Sequence, residues 1–455
     1  MSLVALSHLF PDGRPADQLM VERDGAPITF ARLATDVAVT AARLDRRAVR
    51  RALLVAEDSY WFLVGLLALF QVDAEIVMPP NALAGTLQAL RRADDIVLTD
   101  EPMPEVEAMR LAPHDGGAAR ALRRLDPERC RFGFFTSGST GERKRIGKTL
   151  AQLETEIRTL ERMWGETLGE AGSLGTVSHQ HIFGLTFRLL WPVMAGRKVA
   201  SRVHLAWENL IAALSRPEIL VVSPAHLTRI GGLAPLPREI RPRAIFTAGA
   251  PLSFAAAQET ASLLGELPVE IFGSTETGAI AWRQQKAPET PWRPLPGMEV
   301  GLGAEGTLEL RSPFLAPGEI YRSADRIEPA PGGFHFRGRA DRVVKIEGKR
   351  VGLAEVERDL LGLPWVREAA VVALNERRGA LAAAVVLSPA GSEALARHGK
   401  FRFERQLRQA LGATQDWAGL PRRWRFLDAL PRDGMGKCSA AAVEALFAVA
   451  DGKAR

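Results

Sequence analysis

An α/β fold is predicted: a large, multi-layer N-terminal body of β-sheets with flanking helices, then a smaller α+β domain. Three observations predict it. Short β-branched or apolar runs alternate with helical patterns up to about residue 280; a β-rich stretch with Gly and Pro at its joins follows; and the pattern restarts as a smaller α+β unit after Asp341. At 455 residues the chain is too long for a single compact core, so two or three domains are expected.

The strand candidates of the body are Ala52–Ala56, Glu75–Met78, Ile96–Thr99, Ile219–Val222, Ala244–Thr247 and Val269–Phe272. Leu153, Ile157, Leu160 and Trp164 recur at helical spacing, which places an amphipathic helix after Gly147. Gly306–Leu310 and Gly333–Arg337 carry the β-rich signals. In the smaller unit, helices are expected over Leu353–Leu361 and Phe401–Leu411, with strands near Ala369–Ala373, Leu381–Leu387 and Trp424–Leu427. No low-complexity linker or internal repeat interrupts the chain, so a tight hinge at Asp341 is expected between domains 1–340 and 341–455.

The composition is 47% hydrophobic and 25% charged, as in ordinary soluble proteins. Two cysteines, Cys130 and Cys438, match no metal-ligand spacing and argue against a disulfide scaffold, which suits a reducing cytoplasm. Met1 to Phe10 has no basic, apolar leader pattern. The longest apolar run, Tyr60 to Val72, is too short to cross a bilayer and reads as a buried helix. A soluble, cytoplasmic protein without a membrane span is the expectation.

The formal charge of +6 is unevenly placed. From Arg342 onward there are 20 Lys+Arg and 13 Asp+Glu, a net of +7, so the rest of the chain carries −1. A solvated basic surface and an acidic docking partner both fit this excess. No nucleic-acid-binding motif accompanies the charge, so nucleic acid is not expected as a partner.

The strongest chemical signal is Phe134-Phe135-Thr136-Ser137-Gly138-Ser139-Thr140-Gly141-Glu142-Arg143-Lys144. An aromatic strand runs into a loop whose glycines free backbone N–H groups to face an anion. Ser137, Ser139 and Thr140 add hydroxyl donors, and Lys144 adds charge. The chemistry suits a polyphosphate. It is not a Walker loop, because Arg145, not Ser or Thr, follows the lysine.

Thr136-Ser137-Gly138-Ser139-Thr140-Gly141-x-x-Lys144 resembles the phosphate loop of the adenylate-forming, AMP-binding superfamily, which includes acyl- and aryl-CoA synthetases. Other signatures of that superfamily follow in order. Thr247-Ala248-Gly249-Ala250-Pro251 resembles the strand end that packs along adenine. Phe272-Gly273-Ser274-Thr275-Glu276 resembles the aromatic-Gly-x-Thr-Glu segment, which implies Thr275 on the α-phosphate and Glu276 on Mg²⁺; a hard cation wants such oxygen ligands. Tyr321-Arg322-Ser323-Ala324-Asp325 resembles Tyr-x-Thr-Gly-Asp, whose Asp grips the ribose, although Ser-Ala replaces the usual Thr-Gly.

Gly338 to Arg350 resembles the family's hinge segment. The resemblance implies Arg339 on the ribose or a phosphate and Asp341 as pivot of a mobile lid. It also implies Gly348, in a loop lining the thiol tunnel, and Arg350 as cofactor-binding residues. Pro431-Arg432-Asp433-Gly434-Met435-Gly436-Lys437 resembles the closing Pro-x-x-x-x-Gly-Lys, whose lysine enters the site for the first half-reaction. A positioned ammonium relieves repulsion between the attacking carboxylate and the phosphate. Together the segments imply an acid–thiol ligase that uses ATP and Mg²⁺ to make an acyl-adenylate, with CoA or a phosphopantetheine thiol as acceptor. Arg143 departs from the usual Pro of the phosphate loop.

Val177-Ser178-His179-Gln180-His181-Ile182-Phe183-Gly184-Leu185, read as a strand, resembles the segment where members place a His or aromatic against the acyl group. His181 fits best and His179 competes. The Asp by which amino-acid-activating members pair the substrate ammonium is missing, so a plain carboxylic acid is expected. The segment also resembles stand-alone ligases of aryl polyene and xanthomonadin-type pathways, which implies an aryl acid such as 4-hydroxybenzoate. Medium- or long-chain fatty acids are the alternative within the family. Arg377-Arg378, Arg402, Arg405, Arg408, Arg422-Arg423 and Arg425 face an acidic acyl carrier protein, CoA phosphates or water. Two other classes compete with the ligase reading: γ-phosphoryl transfer, which would release ADP, and non-catalytic nucleotide binding.

Overall fold

The apolar run after Asp58 becomes a helix, Ser59–Gln71, with all 13 of its residues buried. Asp58 starts it by accepting from the backbone N–H groups of Tyr60 and Trp61, which would otherwise be orphaned. A helix apolar all round has no face for water, so it packs between the helix Phe30–Arg46 and the strands Arg51–Leu54 and Glu75–Met78. Truncating Phe62, fully buried in this layer, is of the class that costs about 3–5 kcal/mol.

The computed structural model describes residues 2–103, 105–114, 117–137, 143–346, 349–374, 380–412, 414–415, 417–432 and 438–448. Its contacts divide the chain into two units: Met1–Glu299 with Arg311–Glu319, and Val300–Leu310 with Ile320–Arg455. None of the helices among the described residues is long and apolar enough to cross a membrane.

The first unit holds two mainly parallel sheets. In one, the strands run Ala108–Arg110, Ile96–Thr99, Arg51–Leu54, Glu75–Met78, Arg131–Ser137 and Arg143–Thr149, parallel except for the last pair. In the other, Ser173–Gly175, Ile219–Val222, Ala244–Ala248 and Val269–Ser274 are parallel neighbours, and Gly278–Arg283 returns antiparallel. The near-continuous apolar runs of these strands are what a sheet covered on both faces requires. Between the sheets' sequences lies the helix Leu150–Leu168, started by a capping box of Thr149 and Gln152.

The second unit opens with an antiparallel sheet of Glu299–Leu302, Thr307–Arg311, Tyr321–Ala330 and Gly333–Arg339. A three-stranded sheet of Val366–Leu374, Ala380–Leu387 and Arg423–Leu427 then forms with the helices Leu353–Leu361, Pro389–His398, Lys400–Leu411 and Ala440–Ala448. Side chains alternate between two buried faces. Val371, Leu381, Ala383 and Val385 pack with Phe403 and Leu407, while Val372, Ala382, Ala384 and Val386 pack with Val443 and Phe447.

The strands between residues 300 and 339 cluster with the C-terminal unit, whereas sequence reading assigns them to the N-terminal domain. The reason is packing: Gly333–Arg339 lies against the helix Leu353–Leu361, close enough that a Cβ on Gly338 would sit 3.0 Å from Ala354 Cβ. A division by contacts and a pivot for motion are different properties.

Candidate active site

The strands that flank the glycine–hydroxyl segment pair antiparallel. Arg131–Ser137 pairs with Arg143–Thr149 in a register that sets Thr136 opposite Lys144 and Ser137 opposite Arg143. Gly138, Ser139, Thr140 and Gly141 lie outside the described residues, as do the side chains of Thr136 and Ser137. Lys144 is exposed on the outgoing strand. Buried Phe132 and Phe134, 5.8 Å apart, anchor the incoming strand, so the loop leaves a rigid base.

The Thr-Glu segment forms a hairpin turn, between Val269–Ser274 and Gly278–Arg283. Its flanks are locked by hydroxyls: Ser274 N–H donates to Thr277 Oγ1 (3.0 Å), Thr277 N–H to Ser274 Oγ (3.3 Å), and Thr277 Oγ1 to the Gly278 carbonyl (2.8 Å). Half-buried Thr275 and Glu276 are thereby held at the tip. Gly273 permits this shape, because a bulge follows Phe272 and a Cβ on Gly273 would fall 2.1 Å from the Gly278 oxygen. Phe272 packs on Trp292 with ring centroids 5.2 Å apart. Glu276 makes no hydrogen bond or ion pair among the described residues. Its oxygens therefore suit a hard divalent cation, so the residue expected to hold Mg²⁺ fits that ion.

Beneath this turn lie two groups that sequence reading missed. Glu156, on the helix Leu150–Leu168, accepts from Ala279 N–H at 2.9 Å, and burial raises its pKa to about 6. Lys148, buried on the strand that leaves the phosphate loop, has its pKa lowered by desolvation, opposed by the charges of Glu156, Glu276 and Glu319. The available signal was a lysine at a core-facing alternation, two residues after Ile146, and a glutamate beside Ile157 on an apolar helix stripe.

Gly249 and Ala250 follow the strand Ala244–Ala248, and both are exposed. Gly249 has φ +95, a left-handed conformation that turns the chain out of the sheet and leaves its backbone open.

The two histidines separate clearly. His179 is fully buried. Its Nε2–H donates to the Ala56 carbonyl (2.7 Å), while Nδ1 accepts from Arg188 (2.9 Å) and lies 3.0 Å from Ser59 Oγ. Only the neutral Nε2–H tautomer satisfies both sides. Burial, with Arg188 adding to it, lowers its pKa to about 3. His181 is half-buried where the chain enters the π-helix Gly184–Leu190, so the strand read for this segment is corrected to a turn leading into a helix. The strand reading failed because Gly184 lets the helix approach the 178–180 turn, with Ser178 O 2.1 Å from where a Cβ would be. Behind Phe183 an aromatic wall continues through Phe187 (4.9 Å), Phe246 and Trp164.

Between about pH 3 and 6.5, His179 stays neutral when folded and binds a proton when unfolded. Its contribution to stability is full above pH 6.5 and is lost as pH falls toward about 3, with a slope of about 1.4 kcal/mol per pH unit. The expected result for His179→Gln is a flatter acid limb in urea melts taken at about pH 5 and about pH 6. His181→Ala should instead leave the slope of that acid limb unchanged and raise the KM for the acid; an unchanged KM would remove His181 from the acid site.

In the second unit, Asp325 and Arg339 are cross-strand partners, with Arg339 Nη1 3.2 Å from Asp325 Oδ1. Ser323 Oγ donates to Asp325 Oδ2 (2.7 Å) and accepts from its N–H (3.0 Å), so a serine supplies the turn hydroxyl where the family usually has Thr. Arg342 donates twice to Glu357 (2.8 Å each) and once to the Val371 carbonyl (3.2 Å), which ties the residue after Asp341 to the three-stranded sheet. The side chains of Asp341 and Arg350 lie outside the described part of the chain, as do Gly348 and Lys437 themselves. Both flanks of the Lys437 segment are fixed: Arg432 donates to Glu368 at 2.6 Å, and Cys438 packs beside Val443.

Residues 78–326 match the family model for the AMP-binding enzyme, and residues 355–437 match that for the AMP-binding enzyme C-terminal domain. A 4-coumarate–CoA ligase of Cereibacter sphaeroides is 30% identical over 312 residues, covering 68% of this chain and 70% of the relative. A p-hydroxybenzoic acid–AMP ligase of Mycobacterium tuberculosis is 27% identical over 414 residues, covering 82% of this chain and 55% of the relative. The ATP-bound structure of MatB from Rhodopseudomonas palustris superposes with a TM-score of 0.81 at 20% identity, over 98% of this chain and 99% of that one, a likeness of fold.

Proposed function

The chain belongs to the AMP-binding enzyme family, as an acid–thiol ligase of the acyl- and aryl-CoA synthetase kind, and on that premise we propose that it activates a small aryl acid and loads it onto a thiol. The observation that carries this reading is the locked turn that presents Thr275 beside Glu276, a carboxylate with no hydrogen bond or ion pair among the described residues.

In the first half-reaction a carboxylate oxygen of the acid attacks the α-phosphorus of ATP. The bond from that phosphorus to the bridging oxygen breaks, and pyrophosphate leaves. Thr275 donates to the α-phosphate, and the hydroxyls and amides of residues 136–141 hold the outer phosphates. Glu276 would hold Mg²⁺, which when bound neutralises phosphate charge. Lys437 brings an ammonium to the attacking oxygen and the crowded phosphorus. Asp325, already oriented by Ser323 and Arg339, is suited to the ribose hydroxyls. In the second half-reaction a thiolate attacks the acyl carbon, the mixed anhydride bond breaks, and AMP leaves with the electron pair.

An aryl acid is supported by the aromatic wall behind His181 and Phe183, since flat rings pack against aromatic faces and edges. The names of the two relatives, which act on 4-coumarate and p-hydroxybenzoic acid, support it as well. For the acceptor, Arg402, Arg405 and Arg408 lie at i, i+3, i+6 on the exposed side of Lys400–Leu411, opposite buried Phe403 and Leu407. This stripe is suited to an acidic acyl carrier protein bearing phosphopantetheine. Arg377 and Arg378, expected on the same basic surface, lie outside the described residues.

The test is a panel of carboxylic acids scored by pyrophosphate release, repeated with CoA and with carrier protein. Hydroxybenzoates should be activated and long-chain fatty acids should not. Carrier loading by an Arg405→Glu/Arg408→Glu variant should fall about tenfold in kcat/KM at low salt, through the association rate. ADP as the nucleotide product would overturn the reading.

A further inference from the structure

We propose that Lys148 and Glu156 are positioning residues, a buried ammonium–carboxylate couple that fixes the Thr275–Glu276 turn to the strand leaving the phosphate loop. The inference rests on the role proposed above for that turn.

Lys148 is 4% exposed and Glu156 is 3% exposed. The strand Arg143–Thr149 turns its Ile146 and Lys148 side to the core, so a cation stands where the alternation calls for an apolar residue. Burying an ammonium is costly unless charge of opposite sign surrounds it. That charge comes from Glu156 first, then Glu276 and Glu319. Lys148 itself makes no hydrogen bond or ion pair among the described residues, so it acts across the group and is not consumed by one carboxylate.

Glu156 converts this field into position. It accepts Ala279 N–H at 2.9 Å, three residues beyond Glu276. The fit is close: a Cβ on Gly278 would stand 2.5 Å from the Glu156 carboxylate. Lys148 and Glu156 also share one rigid support, separated only by the Thr149 cap and the first turns of the helix Leu150–Leu168. Two nucleotide-binding segments more than a hundred residues apart in sequence are thus linked through one buried couple. Without Lys148 the Glu156 carboxylate is left buried with no counter-charge. Glu156 then no longer holds Ala279 by a charge-assisted bond.

The test uses the full chain, with Lys148→Met, Glu156→Gln and the double variant. Mn²⁺ binding in the presence of α,β-methylene ATP is read from the electron paramagnetic resonance of free Mn²⁺, beside kcat and KM for pyrophosphate release. Lys148→Met should weaken Mn²⁺ binding about tenfold and lower kcat by roughly 10–100-fold, with the KM for the acid changed by less than about twofold. The double variant should bind Mn²⁺ within about threefold of wild type. Its Glu156→Gln amide oxygen still accepts from Ala279 N–H, and no buried charge is stranded.

A folded Lys148→Met protein with wild-type Mn²⁺ binding overturns the couple. So does a folded double variant that binds Mn²⁺ as weakly as Lys148→Met alone. Should Lys148→Met not fold, recovery of both folding and Mn²⁺ binding in the double variant supports the couple. A wild type that binds Mn²⁺ and nucleotide but activates no acid refutes the proposed function, and the binding measurements still decide the couple.

Discussion

Lys437→Ala is expected to slow acyl-adenylate formation by roughly 10²–10³-fold, the size of effect on losing one preorganised transition-state contact. Two anions must meet in this step, and the carboxylate and the α-phosphate repel until a cation stands between them. The lysine is useful only if it arrives at a fixed height. Its segment is suited to that, being held at one end by Arg432 on Glu368 and at the other by Cys438 in the apolar cluster with Val443. Thioester formation from preformed acyl-adenylate should proceed at close to the wild-type rate, because the phosphorus has already reacted. The measurement is acid-dependent pyrophosphate exchange, set against thioester yield from synthetic adenylate. Equal damage to both half-reactions would overturn the role.

Asp341→Pro should have the opposite signature. Proline fixes φ near −65° and restricts the residue before it, so a backbone that must change conformation between two steps is trapped. Arg342 is bound to Glu357 and Val371, so the chain just after Asp341 is tied to the three-stranded sheet. Thioester formation should fall more than about tenfold, while adenylate formation stays within about threefold. Unchanged thioester formation would remove Asp341 as pivot.

The α/β class and several element positions were legible because their periodicity is local. The run after Asp58 reads as a buried helix from its apolar composition, and Leu153, Ile157, Leu160 and Trp164 mark one face of Leu150–Leu168. Other elements were not legible. Pro389–His398 begins with proline and has only weak apolar patterning, and the hairpin Leu19–Thr29 carries a strand whose side chains are half-exposed or exposed. The grouping of residues 300–310 and 320–339 with the C-terminal unit was also hidden, since it depends on contacts such as Gly338 meeting Ala354 across the fold.

What the sequence determined by itself is the chemistry on offer: a hydroxyl- and glycine-rich loop, a Thr-Glu turn, an Asp and an Arg for a sugar, and a glycine-flanked lysine. Such segments are contiguous, and their residue types carry their meaning without neighbours. Only tertiary structure decided which groups are free to act. It committed His179 to Ala56, Ser59 and Arg188, and it paired Asp325 with Arg339 across two strands. It also left Glu276 without a hydrogen-bond partner among the described residues, within the electrostatic reach of a buried lysine. Burial and hydrogen-bond partnership are properties of the folded surroundings, and those surroundings come from other elements of the fold, 123 positions away in the case of Ala56 and His179.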